Sequence, residues 1–349
     1  MRVIVDTATL RRTHAGKARW VAGLVKALDA IPDLELTRAP GPRRVGGGLL
    51  FRPVNVTLQR WWYDVGMRRA ARRCGADVML MPGAYACRRG RVPQLVAILD
   101  VNYLTQPGTY DPTFVRYARW SVTRAARNAD GLMTISAFSR SEISRHLGVD
   151  PEKISVVYPG LEPLPEGTFA APLDRPYALY VGATEKHKNI GLLLDAWEKL
   201  DHGLTLAIVG RPGRDHADLA ARAAKSGGRV LLVGSVDQTQ LEAWYRNAVA
   251  FLFPSLAEGF GYPPLEAMQR GVPVIASRAG SLPEVLGDAA AYFAPNDPDE
   301  LVSRLSEVAS DGALRAAMVS KGLARAARYN WADTAAATVG LLEGLVSRG

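Results

Sequence analysis

The sequence predicts an α/β protein made of two Rossmann-like halves that face a cleft. Short apolar strands alternate with helix-length segments along the chain, the pattern typical of parallel sheets with crossover helices. A segment rich in proline and glycine, 158–167, separates two such series. In each series the first strand is followed by a glycine-bearing loop and then a helix. We therefore expect domains at 1–165 and 173–330, followed by a C-terminal helix over 331–349.

The first half opens with a strand that is followed by Asp6, and Thr13-His14-Ala15-Gly16-Lys17 forms the loop before its first helix. Ser136 is placed to cap the last helix of this half. The strands are expected at 3–5, 77–81, 94–99, 131–135 and 154–157, and the helices at 19–30, 60–74, 111–129 and 138–147.

The second half repeats the same order, and a helix from Trp331 ends the chain. Its strands are expected at 177–181, 204–209, 230–233, 251–253 and 274–276, and its helices at 191–200, 300–310 and 313–327.

Composition favours a cytoplasmic protein. The chain has 349 residues, of which 48% are hydrophobic and 22% charged, as in ordinary globular domains. Cys74 and Cys87 form no C-x-x-C pair, which indicates neither a disulfide framework nor a zinc site. The N-terminus reads as a strand rather than a signal peptide. No apolar run approaches the length of a transmembrane helix.

The most informative segment is 258–268, in which two carboxylates, Glu258 and Glu266, lie eight positions apart. Apolar strands precede and follow it, so Glu258 should lie on a loop and Glu266 on the next helix. Ligands of parallel α/β sheets bind outside the carboxyl ends of the strands. Gly259 and Gly261 leave backbone amides available there for phosphate or sugar oxygens. One carboxylate near a sugar and another near a ribose would suit a nucleotide-sugar enzyme.

A second candidate site is the loop Glu185-Lys186-His187-Lys188-Asn189, at the head of a helix. Two lysines and a histidine there form a concentrated anion site, and a lysine ammonium can stabilise a departing diphosphate. An ordinary charged surface loop is the alternative. Because the acidic motif follows a strand of the same half, we favour phosphate binding.

Weaker signals lie in the first half. Gly16 follows the first strand and Arg19 lies three residues later, where backbone could approach a phosphate, although a plain strand–helix turn is an equally simple interpretation. Asp100 follows an apolar strand at the expected cleft edge. It could bind an acceptor hydroxyl or a sugar, or it could cap a turn.

Positive charge is concentrated at the N-terminal end. Residues 1–91 hold eighteen Lys and Arg against six Asp and Glu, a net charge of +12, whereas the whole chain is +9. The partner could be a membrane face, a pyrophosphate-linked acceptor or nucleic acid, and the alternative is a solvated, arginine-rich surface. The expected helix at 60–74 combines Trp61 and Trp62 with Arg68, Arg69, Arg72 and Arg73. It could lie on an anionic membrane through residues 60–73 or pack its aromatic side into the core.

Motifs of several other enzyme classes are missing. The sequence has no G-x-S-x-G, H-E-x-x-H, Walker A or G-x-G-x-x-G motif after a strand. Asp297-Pro298-Asp299 precedes a helix and indicates a cap rather than a metal site. We therefore expect no metal and no cofactor.

Together these residues resemble the retaining nucleotide-sugar glycosyltransferases of family 4, which have the two-domain GT-B fold. The resemblance covers nearly the whole chain, and the helix from Trp331 looks like the family's C-terminal helix, which crosses back to the first domain. Residues 249–276 look like the family's E-x7-E region, and 180–189 are similar to its G-x-x-E-x-R-K-N loop. His187 stands where the family usually has arginine, so we expect one diphosphate contact to be weaker or pH-sensitive.

The first half resembles the family with two departures. Gly16 and Arg19 look like its G-x-G-R loop, although Ala18 replaces the second glycine. Leu99-Asp100 looks like its His-Asp pair with the histidine lost, which puts the contact normally made by that histidine in doubt.

The resemblance implies a metal-independent transferase of a hexose or deoxyhexose, with mannose as one candidate, that retains the anomeric configuration. Its donor would be a nucleoside diphosphate sugar, and its acceptor a glycan, a lipid-linked pyrophosphate or a small molecule bound by the basic first domain. No nucleic acid is expected, and the protein would be cytoplasmic or peripheral on the inner face of a membrane. Alternatives are a GT-B nucleotide-sugar epimerase and a catalytically silent sugar-nucleotide-binding protein.

The resemblance also assigns roles. Lys188, the Gly16 backbone and the amides of Phe260 and Gly261 would hold the diphosphate. Glu258 would contact the donor sugar and steady positive charge at its anomeric carbon, Glu266 would bind the ribose, and Val236 would pack near the base. The predicted catalytic residues are Glu258, Lys188 and Asp100. The donor would also be bound by Gly16, Arg19, His187, Val236, Gly259, Phe260, Gly261 and Glu266.

Overall fold

The computed structural model describes residues 1–11, 16–43, 45–46, 52–200 and 203–348. These divide into two units: unit 1 is Met1–Glu162 with Asn330–Gly349, and unit 2 is Pro163–Tyr329. Each unit contains a six-stranded parallel sheet. The two Rossmann-like halves expected from the sequence are thereby confirmed. Of the predicted loop at 13–17, Thr13, His14 and Ala15 lie outside the described residues.

Unit 1 has the strand order β2-β1-β3-β4-β5-β6. The strands are β1 (Arg2–Asp6), β2 (Glu35–Ala39), β3 (Val78–Met81), β4 (Gln94–Ala97), β5 (Gly131–Thr134) and β6 (Ile154–Val156). Strands β3 and β4 are buried along their whole length, as in parallel sheets covered on both faces. The chain crosses over on opposite sides of β1, so the carboxyl ends of β1 and β3 flank a topological switch point.

The helices of unit 1 connect these strands. They are α1 (Gly16–Asp29), α2 (Arg52–Trp61), α3 (Met67–Arg73), α4 (Asn102–Thr105), α5 (Pro112–Asn128) and α6 (Ala137–Leu147). A π-helical turn, Trp62–Gly66, joins α2 and α3. A Cβ at Gly66 would lie 2.5 Å from the ring of Trp62, so this turn packs tightly against its own tryptophan. The single helix expected over 60–74 is therefore a helix–π–helix segment.

Unit 2 has the strand order β12-β11-β10-β7-β8-β9. The strands are β7 (Tyr177–Val181), β8 (Thr205–Val209), β9 (Val230–Gly234), β10 (Ala250–Phe253), β11 (Val274–Ser277) and β12 (Ala290–Phe293). The helices are α7 (Ile190–Lys199), α8 (His216–Ala224), α9 (Gln238–Arg246), α10 (Tyr262–Gln269), α11 (Leu282–Leu286), α12 (Pro298–Ser310) and α13 (Gly312–Ala326). The strand order reverses between β7 and β10, which makes this the switch point of unit 2.

Short 3₁₀ turns complete both units. They are Ala8–Arg11, Pro107–Thr109, Pro151–Lys153, Lys186–Lys188 and Gly287–Ala289. Among the helices of the described residues, none is both long and apolar enough to cross a membrane.

The last helix, α14 (Trp331–Val346), follows unit 2 in sequence but belongs to unit 1. A Cβ at Gly23 of α1 would lie 2.0 Å from the Trp331 ring, so only glycine allows this contact. The Thr334 hydroxyl donates to the Tyr158 carbonyl at 2.8 Å. The expectation that the C-terminal helix returns to the first half is confirmed.

Candidate active site

The candidate site of unit 2 lies at the carboxyl ends of β7 and β10. These strands are neighbours, with Phe251 opposite Leu179, and the chain leaves them toward opposite sides of the sheet. The loops that follow them, 182–189 and 254–261, therefore border one crevice. They are also joined directly, since the Leu256 amide donates to the His187 carbonyl at 2.9 Å.

The loop after β7 ends in the 3₁₀ turn Lys186–Lys188, which carries all three predicted basic side chains. Asn189 stops this turn in the left-handed conformation at φ 54°, and α7 begins at the next residue. The Asn189 amide group donates to the Pro295 carbonyl at 2.8 Å. The turn is therefore held at its C-terminal end, next to Lys188.

Lys188 and Glu258 meet at this crevice. The Lys188 ammonium lies 2.5 Å from Glu258 Oε1, and the two side chains are 19% and 13% exposed. The ammonium also lies 5.4 Å from the centroid of the Phe253 ring. The Coulomb attraction within such a partly buried pair is stronger than that within a fully exposed pair. The structure thus brings together two predicted catalytic residues, and their direct pairing was not predicted.

The backbone of Glu258 is held by the turn after β11. The Ser281 amide donates to the Glu258 carbonyl at 3.1 Å, and the Ser281 hydroxyl donates to the Phe260 carbonyl at 3.1 Å. Gly280 adopts φ +58°, and a Cβ there would lie 2.7 Å from both the Glu258 nitrogen and its carbonyl oxygen. Only glycine fits this position, so the loop carrying the carboxylate is rigidly supported.

Gly261 precedes α10 in a left-handed conformation, at φ +101°. The next residues of the helix include Pro263 and Pro264, which carry no N–H. Any backbone amide that donates to an anion at this end of α10 would therefore belong to the loop or to the first helical residue. Donation by Gly259, Phe260 and Gly261 stays a prediction. The Phe260 side chain is buried, so only its backbone can take part.

Glu266 lies one turn into α10 and is 7% exposed. The hydroxyl of Tyr245, on α9, donates to Glu266 Oε2 at 2.8 Å. Reasoning from the sequence missed Tyr245. Its only signal was a tyrosine shortly before the apolar strand at 249–254, a position that also suits a core residue.

Burial lowers the pKa of His187, and the neighbouring Lys188 lowers it further, while Glu258 and Glu185 act in the opposite direction. A lowered pKa favours the neutral imidazole at neutral pH. Lys188 therefore supplies more of the positive charge of this loop than His187 does. Burial and the charge of Glu258 also hold the pKa of Tyr180 well above its usual range.

Val236 lies between β9 and α9 and is half-buried. It is followed by Asp237, whose side chain caps α9 together with Gln240. Strand β9 is at the edge of the sheet, two strands from β7. Val236 is therefore on the same carboxyl edge as Lys188, displaced along it.

In unit 1, Gly16 is the first residue of α1 and is exposed, and a Cβ there would meet no atom within 4 Å. Arg19 is half-buried in the first turn of the same helix. The Lys17 ammonium donates to the Gly83 carbonyl at 2.7 Å, which ties α1 to the segment after β3. Gly16 and Arg19 thus lie in the first turn of α1, next to the switch point of unit 1. Arg19 was expected on this helix, whereas Gly16 was expected in the loop before it.

Asp100 follows β4 and is half-buried. Its Oδ1 accepts from the Asn102 amide at 3.1 Å, where α4 begins. The turn-capping role considered from the sequence is therefore present. Binding of an acceptor by Asp100 stays a prediction.

The basic segment divides between the core and the surface. The ring of Trp62 packs against the unit 1 core, whereas Trp61 is 48% exposed. Of the four predicted arginines, Arg69, Arg72 and Arg73 are exposed and Arg68 is half-buried. The two aromatic residues thus have different environments.

A doubly wound sheet with a lysine and a carboxylate at its switch point is typical of an enzyme that binds a nucleotide. Residues 29–163 match the family described as Glycosyltransferase Family 4, and residues 167–325 match Glycosyl transferases group 1. The O-antigen chain mannosyltransferase B of Escherichia coli is 33% identical over 257 residues, covering 69% of this chain and 67% of that protein. The chain therefore belongs to the glycosyltransferases of the family 4 type.

Solved structures agree on the fold. Sucrose-phosphate synthase from Thermosynechococcus elongatus matches with a TM-score of 0.77 and 17% identity over 100% of both chains. Anabaena HepE in complex with UDP and glucose matches with a TM-score of 0.72 and 16% identity, covering 99% of this chain and 100% of that one. The fold is GT-B. The D-inositol 3-phosphate glycosyltransferase 2 of Catenulispora acidiphila is 30% identical over 234 residues, covering 60% of this chain and 55% of that protein.

Proposed function

We propose that this glycosyltransferase moves a hexose or deoxyhexose from a nucleoside diphosphate sugar to a glycan, lipid-linked or small-molecule acceptor, with retention of configuration. The observation that carries the proposal is the Lys188–Glu258 ion pair at the switch point of unit 2. The mannosyltransferase named among the relatives favours mannose as the sugar.

The ion pair suits a reaction that separates charge. When the bond between the anomeric carbon and the diphosphate oxygen breaks, negative charge develops on the diphosphate and positive charge on the sugar. Lys188 would stabilise the negative charge on the diphosphate, and Glu258 would stabilise the positive charge on the sugar. Charges that are already fixed in place need no reorganisation during the reaction. In the free protein, each charge is kept in place by the other.

The other residues would bind the donor at its remaining groups. We propose that the amides of Gly259, Phe260 and Gly261 contact phosphate oxygens with His187, that Glu266 binds the ribose, and that Val236 packs near the base. In unit 1, we propose that Gly16 and Arg19 contact the phosphates. Asp100 would bind a hydroxyl of the sugar or of the acceptor.

A thermal-shift screen of GDP-, UDP- and dTDP-sugars tests donor binding, because a ligand that binds only the folded state raises the melting temperature. The stabilising donor is then incubated with candidate acceptors, and the products are examined by NMR. A glycoside with the donor's anomeric configuration supports the proposal. An isomerised nucleotide sugar would indicate an epimerase, and binding without any turnover would indicate a silent binding protein.

Transfer is expected to proceed without a metal ion, since lysine and backbone amides can neutralise the diphosphate. Among the described residues, no three His, Cys, Asp or Glu side chains are grouped to hold a metal. Activity should therefore be unchanged within about twofold in excess EDTA, relative to a mock-treated sample. Loss of activity that Mg²⁺ or Mn²⁺ restores would contradict this expectation.

We propose further that unit 1 contacts an anionic membrane surface or a lipid-pyrophosphate acceptor. Unit 1 exposes Arg69, Arg72 and Arg73. It also has a cavity of about 630 Å³ that is lined by four other arginines and an exposed tryptophan. These residues are Arg88, Arg89, Arg124, Arg127 and Trp120. Trp120 is 43% exposed, with the Arg60 guanidinium 5.2 Å from its ring. Tryptophan beside arginine suits the boundary between lipid headgroups and acyl chains.

The protein should co-sediment with vesicles of phosphatidylcholine and anionic phosphatidylglycerol at low salt and dissociate at high salt. Replacing Arg69, Arg72 and Arg73 by glutamine should weaken this binding by roughly two orders of magnitude, at about 1 kcal/mol for each charge. The matched control is glutamine at Arg214, Lys225 and Arg328, three exposed cations of unit 2. Wild type that remains in the supernatant at low salt would contradict membrane binding.

A further inference from the structure

The interface between α9 and α10 holds the Glu266 carboxylate by a buried hydroxyl. The Tyr245 hydroxyl donates to Glu266 Oε2 at 2.8 Å. Tyr245 is 1% exposed and Glu266 is 7% exposed, so this hydrogen bond is shielded from water. A shielded hydrogen bond to a carboxylate is among the stronger ones in proteins.

Tyr245 is itself fixed by its neighbours. Its ring stacks on Phe251 of β10, with 5.7 Å between centroids. On another side, the Arg270 guanidinium carbon lies 4.9 Å from the ring centroid. The hydroxyl therefore has a defined position relative to the sheet.

Arg270 connects this contact to the backbone of α10. It donates to the Glu266 carbonyl at 2.9 Å, and its Nε and a second nitrogen donate to Glu242 Oε2 at 2.8 and 2.6 Å. Glu242 is fully buried on α9 and also accepts from Arg246 at 2.6 Å. The backbone and the side chain of Glu266 are thus both anchored to α9.

We propose that Tyr245 is a positioning residue for recognition of the donor ribose. By holding Oε2 it sets the plane of the Glu266 carboxylate, which determines where that carboxylate can accept hydrogen bonds from ribose hydroxyls. The inference rests on the proposed role of Glu266. It adds a specificity determinant from α9, outside the E-x7-E segment.

The test is calorimetry with GDP and UDP, each compared with its 2′-deoxy and 3′-deoxy forms. Wild type should lose roughly tenfold or more in affinity when the recognised hydroxyl is removed. Tyr245→Phe should bind the parent nucleotide more weakly and lose at most about threefold on removal of the same hydroxyl. Turnover should show a raised KM for the donor with little change in kcat.

The matched control is Tyr177→Phe. Tyr177 is also 1% exposed, and its hydroxyl donates to the Trp244 carbonyl at 2.9 Å rather than to a carboxylate. This variant should keep the wild-type response to the deoxy nucleotides. Because the response compares two ligands on one protein, partial loss of folded protein does not imitate the expected result.

A Tyr245→Phe variant with the full wild-type response would overturn the positioning role while leaving the role of Glu266 intact. A wild type indifferent to both ribose hydroxyls would overturn the roles of Tyr245 and Glu266 together. Glycosyl transfer, measured separately on wild type, would still stand in either case. Failure of this inference is thus distinguishable from failure of the proposed transferase activity.

Discussion

Replacing Glu258 by glutamine is expected to lower turnover by roughly two to four orders of magnitude. The amide keeps the size of the side chain but removes the negative charge that we propose faces the anomeric carbon. That charge matters most in the transition state, when the sugar carries positive charge, so the loss should appear mainly in kcat. Steady-state kinetics with saturating donor measures it.

The affinity of Glu258→Gln for the nucleoside diphosphate should not fall with its turnover. In the free protein Glu258 is ion-paired with Lys188, so a diphosphate must compete with the carboxylate for the ammonium. Glutamine removes this competition. We therefore expect the variant to bind the nucleoside diphosphate as tightly as wild type or more tightly, which calorimetry can measure.

Glu198→Gln is the matched control. Glu198 is also ion-paired, with Arg222, but its side chain is 69% exposed and lies on α7. The same change of carboxylate to amide should leave turnover within about twofold of wild type. Unchanged turnover in Glu258→Gln would remove Glu258 from the catalytic residues.

The interior strands could be predicted from the sequence because their burial imposes apolar runs. Strand β7 was predicted with its observed bounds, and β10 and β11 within one residue. The edge strands β2 and β12 were not predicted. Strand β2 has the sequence ELTRA, in which charged residues interrupt the apolar run that identifies a strand. Strand β12 is apolar but only four residues long, and two of these are alanine, which is depleted in strands.

Short helices were missed for a related reason. Helices α8, α9 and α11 span nine residues or fewer, too short for a clear helical periodicity. The cap of α9, Asp237 with Gln240, is a recognisable start signal. It marks where α9 begins but does not indicate which of its side chains contacts Glu266, so it does not identify Tyr245.

The candidate site residues could be named from the sequence, but the contacts between them could not. Strand–loop–helix patterns and the resemblance indicated Glu258 and Lys188, seventy residues apart in the chain. Their pairing depends on β7 and β10 being neighbours in the sheet, and strand order is not encoded in a local pattern. The environment of Trp62 could not be predicted either, because the π-helical turn that packs its ring against Gly66 has no local sequence signal.

Replacing Lys188 by alanine is expected to weaken nucleoside diphosphate binding by roughly ten- to a hundredfold, because a partly buried charge-assisted contact contributes about 1.5–3 kcal/mol. Transfer should slow as well, since the leaving diphosphate loses its stabilising charge. Affinity for the nucleoside without phosphates should not change. Calorimetry with GDP and guanosine, and with UDP and uridine, separates the two effects.

Lys186→Ala is the matched control. Lys186 belongs to the same 3₁₀ turn but is exposed, so its removal should reduce diphosphate affinity far less. Equal affinity of Lys188→Ala and wild type for the diphosphates would refute the phosphate role of Lys188.

The ion pair adds a second explanation that must be separated from phosphate binding. Removing Lys188 leaves the Glu258 carboxylate, 13% exposed, without its ion-pair partner, and an uncompensated charge beside the site repels a diphosphate. The double variant Lys188→Ala/Glu258→Gln removes that repulsion. If Lys188 binds the diphosphate directly, the double variant should still bind it at least about tenfold more weakly than Glu258→Gln alone, because both proteins lack the carboxylate and differ only in the ammonium. Recovery to the affinity of Glu258→Gln would mean that Lys188 acts only by neutralising Glu258.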